Sequence, residues 1–240
     1  MTQQQETVFV ISAHSADFVW RAGGAIALYH QKGYRVRVLC LSYGERGESA
    51  KLWKLGKTLE EIKAKREAEA RKAAEILGAE IRFFDVGDYP LEPTKELQDA
   101  IVQEFRQHRP KFILTHSLED PYNADHPRTT NFVLECRILA QAEGYPSEHP
   151  IIGAPPVFLY EPHQPEQCDF KIQAFLDITS VFELKRQAME CMEAQEHLWN
   201  YYTDVAKRRG SQAVRNGGDK SIVHAEAYQR IYPTVGSELV

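Results

Sequence analysis

Two histidines and two carboxylates in this chain carry spacing that suits a divalent metal ion. His14 and Asp17 stand three residues apart just after an apolar, β-branched run at 8–12, and Asp125 and His126 are adjacent in the polar stretch that follows a second apolar run at 111–115. His14, Asp17 and His126 together make two imidazoles and one carboxylate with positions left open. That is a donor set of catalytic zinc, which lowers the pKa of bound water and polarises carbonyl oxygens. The same set suits non-haem Fe²⁺. Asp125 is placed to orient the neighbouring His126 imidazole, or else to close an Asx turn. Asp17 also fits a plainer role as a helix N-cap.

These residues meet only if the backbone brings them to one place, and the pattern of the chain predicts that it does. Strand-like runs fall at 8–12, 35–42, 81–86, 111–115, 157–160 and 175–179, alternating with helical periodicity at 18–29, 58–77, 94–108 and 129–142. Thr58 and Glu61 form a capping box. A second such pair, Ser180 and Glu183, predicts one long helix running towards Arg209. Alternating strands and helices mean an α/β fold, a Rossmann-like, doubly wound, mostly parallel sheet with helices on both faces, here as a single domain over 1–240. In the strand order 3-2-1-4-5 the first and fourth strands are neighbours, and ligands bind at the carboxyl ends of the strands near that switch point. His14 and Asp17 follow strand one, Glu48 strand two, Asp125 and His126 strand four, and His163 strand five. All share one sheet edge.

Composition narrows the function classes. A net charge of −5 and a pI near 6.0 give no global field for nucleic acid or an anionic membrane. An anionic ligand must therefore be held by local arginines. Four scattered cysteines without a C-x-x-C pair predict reduced thiols. The N-terminal apolar run is too short for a signal peptide and no run reaches a membrane span, so the expected location is the cytoplasm.

The sequence A-H-x-x-D after the first strand, with D-H after the fourth, resembles the PIG-L or LmbE-like family of zinc-dependent N-acetyl-sugar deacetylases. The resemblance covers roughly the first 165 residues and extends to 224–227. It implies His14, Asp17 and His126 as ligands of Zn²⁺, with Fe²⁺ or another divalent metal as alternatives. Two positions depart from the family. The carboxylate that serves the deacetylases as general base is Ala16 here, and the first His of H-P-D-H is Asn123. Losing a general base costs about 10²–10⁴-fold in rate.

The loop Gly44 to Glu48 and the histidine His163 are similar to a subgroup of that family, the 4-oxalomesaconate (4-carboxy-2-hydroxymuconate) hydratases of gallate and protocatechuate breakdown. The resemblance implies a hydro-lyase adding water to a C=C bond conjugated to a keto or enol carboxylate, with Glu48 and His163 as the proton-transfer pair. A small polycarboxylate needs cations, and Arg46 and Arg128 are the expected contacts. Arg21, one turn after Asp17, is a weaker candidate for the same role and reads rather as a surface residue, and Arg208, Arg209 and Arg215 as a basic turn. His116 reads with the remaining histidines as a structural or surface residue, although it follows strand four directly. The expected partners are the small substrate and further copies of the chain in a homo-oligomer, without nucleic acid or membrane. The alternatives are an amide hydrolase with a replacement base and a metal-retaining binding module.

Overall fold

The structure is a computed structural model that describes residues 5–235. Five parallel strands form its centre: β1 (Thr7–Ser12), β2 (Arg35–Cys40), β3 (Ala79–Phe83), β4 (Phe112–Thr115) and β5 (Val157–Tyr160). They lie in the order β3-β2-β1-β4-β5, as the doubly wound pattern predicts. Side chains alternate across the pleat and so feed two cores. Val8 and Val10 of β1 join one apolar cluster, while Phe9 and Ile11 join the other.

The first cluster lies under α1 (Asp17–Gln31), α3 (Leu59–Leu77), α6 (Phe182–Glu190) and α7 (Leu198–Arg215). The second lies under α4 (Lys95–His108) and α5 (Asp125–Leu139). Thr58 and Glu61 do form the capping box of α3, and Gly78 closes that helix at φ 77°. A short α2 (Ala50–Lys54) follows the strand-two loop.

The C-terminal third differs from the expectation. In place of one helix from Ser180 to Arg209 there are two, because the chain turns through 191–197 between α6 and α7, and Ser180 lies in a 3₁₀ turn without capping α6. A seventh strand, β7 (Ala225–Arg230), inserts antiparallel between β5 and the edge strand β6 (Ala174–Asp177). Glu226 of β7 ties this edge to α1. Its carboxylate accepts from the backbone N–H groups of Gly24 and Ala25 at 2.7 and 2.8 Å and from Lys185 Nζ at 2.7 Å. Among the described residues no helix is long and apolar enough to cross a membrane.

Candidate active site

The turn from β1 into α1 is built around its own side chains. Asp17 takes the first position of α1, and its carboxylate accepts from the His14 N–H at 2.9 Å. The Ser12 hydroxyl donates to the His14 carbonyl at 2.6 Å. The Ala13 N–H donates to His116 Nε2 at 2.9 Å, which joins the ends of β1 and β4. His14 and Asp17 are thereby both buried and directed to the sheet edge.

Glu48 arrives on the loop after β2, and the loop's shape depends on two glycines. Gly44 has φ 70°, which a glycine adopts without strain. A Cβ on Gly47 would stand 2.0 Å from the Tyr89 ring. The Asp88 carboxylate accepts from the Arg46 and Gly47 N–H groups at 2.9 and 2.8 Å, and the Glu48 carboxylate reaches His14 Nδ1 at 3.1 Å. Behind it Arg66, fully buried, lies 3.8 Å away.

His126 completes the group from the first turn of α5, which begins at Asp125, earlier than the expected 129. Its Nε2 is 3.4 Å from Asp17 Oδ1. One donor atom from each of His14, Asp17, Glu48 and His126 falls within 4.8 Å of the others.

The partners of the two imidazoles correct the expectation for Asp125. Asp120, not Asp125, holds His126, through Nδ1 at 2.7 Å. Asp125 faces His14 Nε2 at 3.4 Å and accepts from the N–H groups of Tyr89 and Leu91, each at 2.9 Å. Each ring thus turns one nitrogen to a carboxylate and the other to the group. Metal-bound histidines are usually supported in this way. His126 Nε2 is buried without a hydrogen-bond partner. An orphaned acceptor, a second imidazole and two carboxylates at this spacing fit a divalent cation.

The electrostatics agree. Burial opposes the charge on His14, but the carboxylates of Glu48, Asp125 and Asp17 outweigh it and hold its pKa well above the ordinary value. Burial likewise opposes ionisation of Asp17, and His126 and His116 hold it well below the usual carboxylate range. Negative charge concentrated in a dry site attracts a cation.

The remaining predicted residues lie around this group. His163 follows β5, half-buried, stacked on the Tyr201 ring at 4.3 Å with its Nδ1 3.4 Å from the Tyr202 hydroxyl. It is not among the four clustered residues. Arg46 and Arg128 are about half exposed, held by the Asp88 carbonyl at 2.8 Å and the Asp125 carboxylate at 3.2 Å. Arg21 is buried at 8% exposure, contrary to its reading as a surface residue. Arg209 is buried too, paired with Glu161, while Arg208 and Arg215 are exposed. His116 stacks on His126 at 4.1 Å and so belongs to the site. Asp120, Arg66 and Tyr89 carried no motif of their own. Only the position of Asp120 in the loop between β4 and His126 pointed to it.

The chain is 54% identical to the 4-oxalmesaconate hydratase of Pseudomonas putida strain KT2440, over 100% of this chain and 94% of that protein. The crystal structure of GalB, the 4-carboxy-2-hydroxymuconate hydratase of the same strain, superposes with a TM-score of 0.96 at 53% identity, covering 98% of this chain and 100% of that one. A diacetylchitobiose deacetylase of Thermococcus kodakarensis is 27% identical, over 87% of this chain and 82% of its own length. Residues 9–137 match the PIG-L family, described as GlcNAc-PI de-N-acetylase. That match spans more than half of the chain and includes every one of the four clustered residues, so the protein belongs to the PIG-L family.

Proposed function

We propose that this protein is a metal-dependent hydro-lyase that adds water to the conjugated C=C bond of 4-oxalomesaconate (4-carboxy-2-hydroxymuconate), in the breakdown of gallate or protocatechuate. The identity of 54% over the whole chain to a hydratase of that name supports the substrate. One observation carries hydration over amide hydrolysis: Ala16, where the deacetylases of the family keep their general base, is a fully buried methyl group in the core beneath α1.

His14, Asp17 and His126 would hold the ion, with Glu48 against it. Zn²⁺ suits this mixed nitrogen and oxygen set, as does Fe²⁺. When bound, such an ion supplies a Lewis acid for the keto or enol oxygen of the substrate. Glu48 and His163 move the proton. Burial and the Arg21 charge lower the His163 pKa, so the ring is neutral at neutral pH and accepts a proton. The pair takes one proton from water as the C–O bond forms, and returns one to carbon as the C=C bond is consumed. It ends in its starting state. Arg46 and Arg128, on the outer rim, are proposed contacts for substrate carboxylates.

Ultraviolet-monitored turnover of 4-carboxy-2-hydroxymuconate by metal-replete protein, beside an N-acetylglucosamine amide, tests the reading. Muconate consumption without amide cleavage is expected. Amide cleavage alone would overturn it.

A further inference from the structure

We propose that Arg21 is the inner carboxylate receptor of this site, gripping one carboxylate of the substrate between the metal-binding group and His163; the substrate's identity rests on the hydratase reading above. Arg21 lies one helical turn after Asp17, on the same face of α1. Its Nε stands 3.6 Å from Asp17 Oδ1, beyond a hydrogen bond. A guanidinium offers five donors in a rigid fork. Among the described residues the only hydrogen bond it makes is from Nη1 to the Glu161 carbonyl, at 3.4 Å, and its buried Nε has no partner.

Three other buried arginines are well supplied with acceptors, and a fourth, Arg137, has one bond to the Pro155 carbonyl and lies over the Tyr232 ring. Arg106 donates to the carbonyls of Leu139, Ala140, Ala142, Tyr145 and His149. Arg209 holds the Glu161 carboxylate with two nitrogens. Arg66 donates to the Tyr43 carbonyl and to Gln195 Oε1. A buried guanidinium N–H left without an acceptor is costly, which argues for a partner outside the chain.

That partner is an anion. The cavity of about 20 Å³ beside Arg21, lined also by Glu161, Lys185, Tyr202 and Glu226, has room for a single water and none for a carboxylate, so an anion meets Arg21 from its Asp17 side. The nearest carboxylate, Asp17, is already shared with His14 and His126. A planar carboxylate matches the guanidinium fork with two parallel bonds. Tyr202 joins Arg21 to the acid–base side of the site. It lines the same cavity as Arg21, and its hydroxyl stands 3.4 Å from His163 Nδ1. A substrate carboxylate on Arg21 sits beside both Asp17, 3.6 Å from the Arg21 Nε, and Tyr202, the neighbour of His163. Arg46 and Arg128, half exposed and already bonded, are left to outer carboxylates.

The test measures calorimetric binding of propane-1,2,3-tricarboxylate to the metal-replete parent, Arg21→Met and Arg21→Lys, with metal content and melting temperature recorded for each. Loss of charge-assisted hydrogen bonds predicts binding weaker by about 10- to 100-fold in Arg21→Met. Arg21→Lys should fall between, added guanidinium ion should restore part of the lost binding to Arg21→Met alone, and KM for the muconate should rise more than kcat falls. Full metal in both variants is expected. Parent-like binding in Arg21→Met, or loss of metal in both variants, overturns the assignment. Should Arg21→Met fail to fold, parent-like binding in Arg21→Lys overturns it equally. A parent that binds the tricarboxylate through Arg21 yet leaves the muconate untouched sinks the hydratase reading and leaves the receptor standing. A parent that turns over, with Arg21→Met equal to it in binding and KM, does the reverse.

Discussion

The Asp120 carboxylate lies 2.7 Å from His126 Nδ1 and fixes which nitrogen of that ring faces Asp17. Removing such a partner from a metal-binding histidine usually weakens metal affinity by about 10- to 100-fold. Asp120→Ala should therefore lose metal during dialysis against a mild chelator that leaves the parent loaded with one ion per chain. His126→Ala should lose it outright. Elemental analysis reads both, and undiminished metal in His126→Ala would remove that residue from the site.

Glu48→Gln keeps the side chain's size and loses its proton-accepting charge. We expect it and His163→Ala each to lower kcat by about 10²-fold or more. The fold should survive in both, and His163→Ala should keep its metal. Parent-like rates in the two variants would make both residues bystanders.

The pH dependence of hydration carries a sign. Around the His163 ring stand Arg21 from α1, Asp120 from the β4–α5 loop, His197 before α7, and the phenols Tyr201 and Tyr202. Burial, then the Arg21 charge, lowers its pKa below the ordinary 6.5. A neutral ring acting as proton acceptor gives full rate above that pKa and a fall as pH drops through it. The acid limb of kcat/KM should have a midpoint below 6.5 and vanish in His163→Ala. Loss of rate towards high pH would instead give the ring the role of acid.

Ala16→Asp returns a carboxylate to the position from which the deacetylases take their base. Because Ala16 is fully buried in the core beneath α1, the change should lower the melting temperature as well as hydration. Ala16→Ser, nearly the same size and uncharged, should keep most of the hydration rate. Equal rates in Ala16→Asp and the parent would count against a dedicated hydratase site.

Glu226 and Lys185 are paired at 4% and 3% exposure. Glu226→Ala leaves a buried ammonium uncompensated and the Gly24 and Ala25 N–H groups without their acceptor. Breaking a buried pair from one side costs about 3–5 kcal/mol, and denaturant melts should show a loss of that size.

His14, Asp17, Glu48 and His126 were legible because each stands at or just beyond the carboxyl end of a strand whose apolar run is unmistakable. The strand order then places those ends side by side. Asp125 was misread because adjacency in sequence is not adjacency on a helix. It opens α5 and turns to His14 and the 89–91 backbone, leaving His126 to a residue six positions earlier. Arg21 looked exposed because Lys185 and Tyr202, which cover it, come from the C-terminal third, where the break at 191–197 contains neither Pro nor Gly to mark it. β7 went unseen because Ala225 to Arg230, reading AEAYQR, lacks β-branched residues. Its identity as a strand comes from pairing on both sides.

The brace from Glu226 to α1 joins residues 202 positions apart. All four clustered side chains lie at or before residue 126, 226 − 126 = 100 residues ahead of that carboxylate. At synthesis rates of about 5–20 residues per second, that gap lasts on the order of 5–20 seconds. A nascent chain thus presents every donor before the helix that aims Asp17 has been pinned. Until β7 enters the sheet, the Gly24 and Ala25 N–H groups of that helix have no Glu226 carboxylate to donate to.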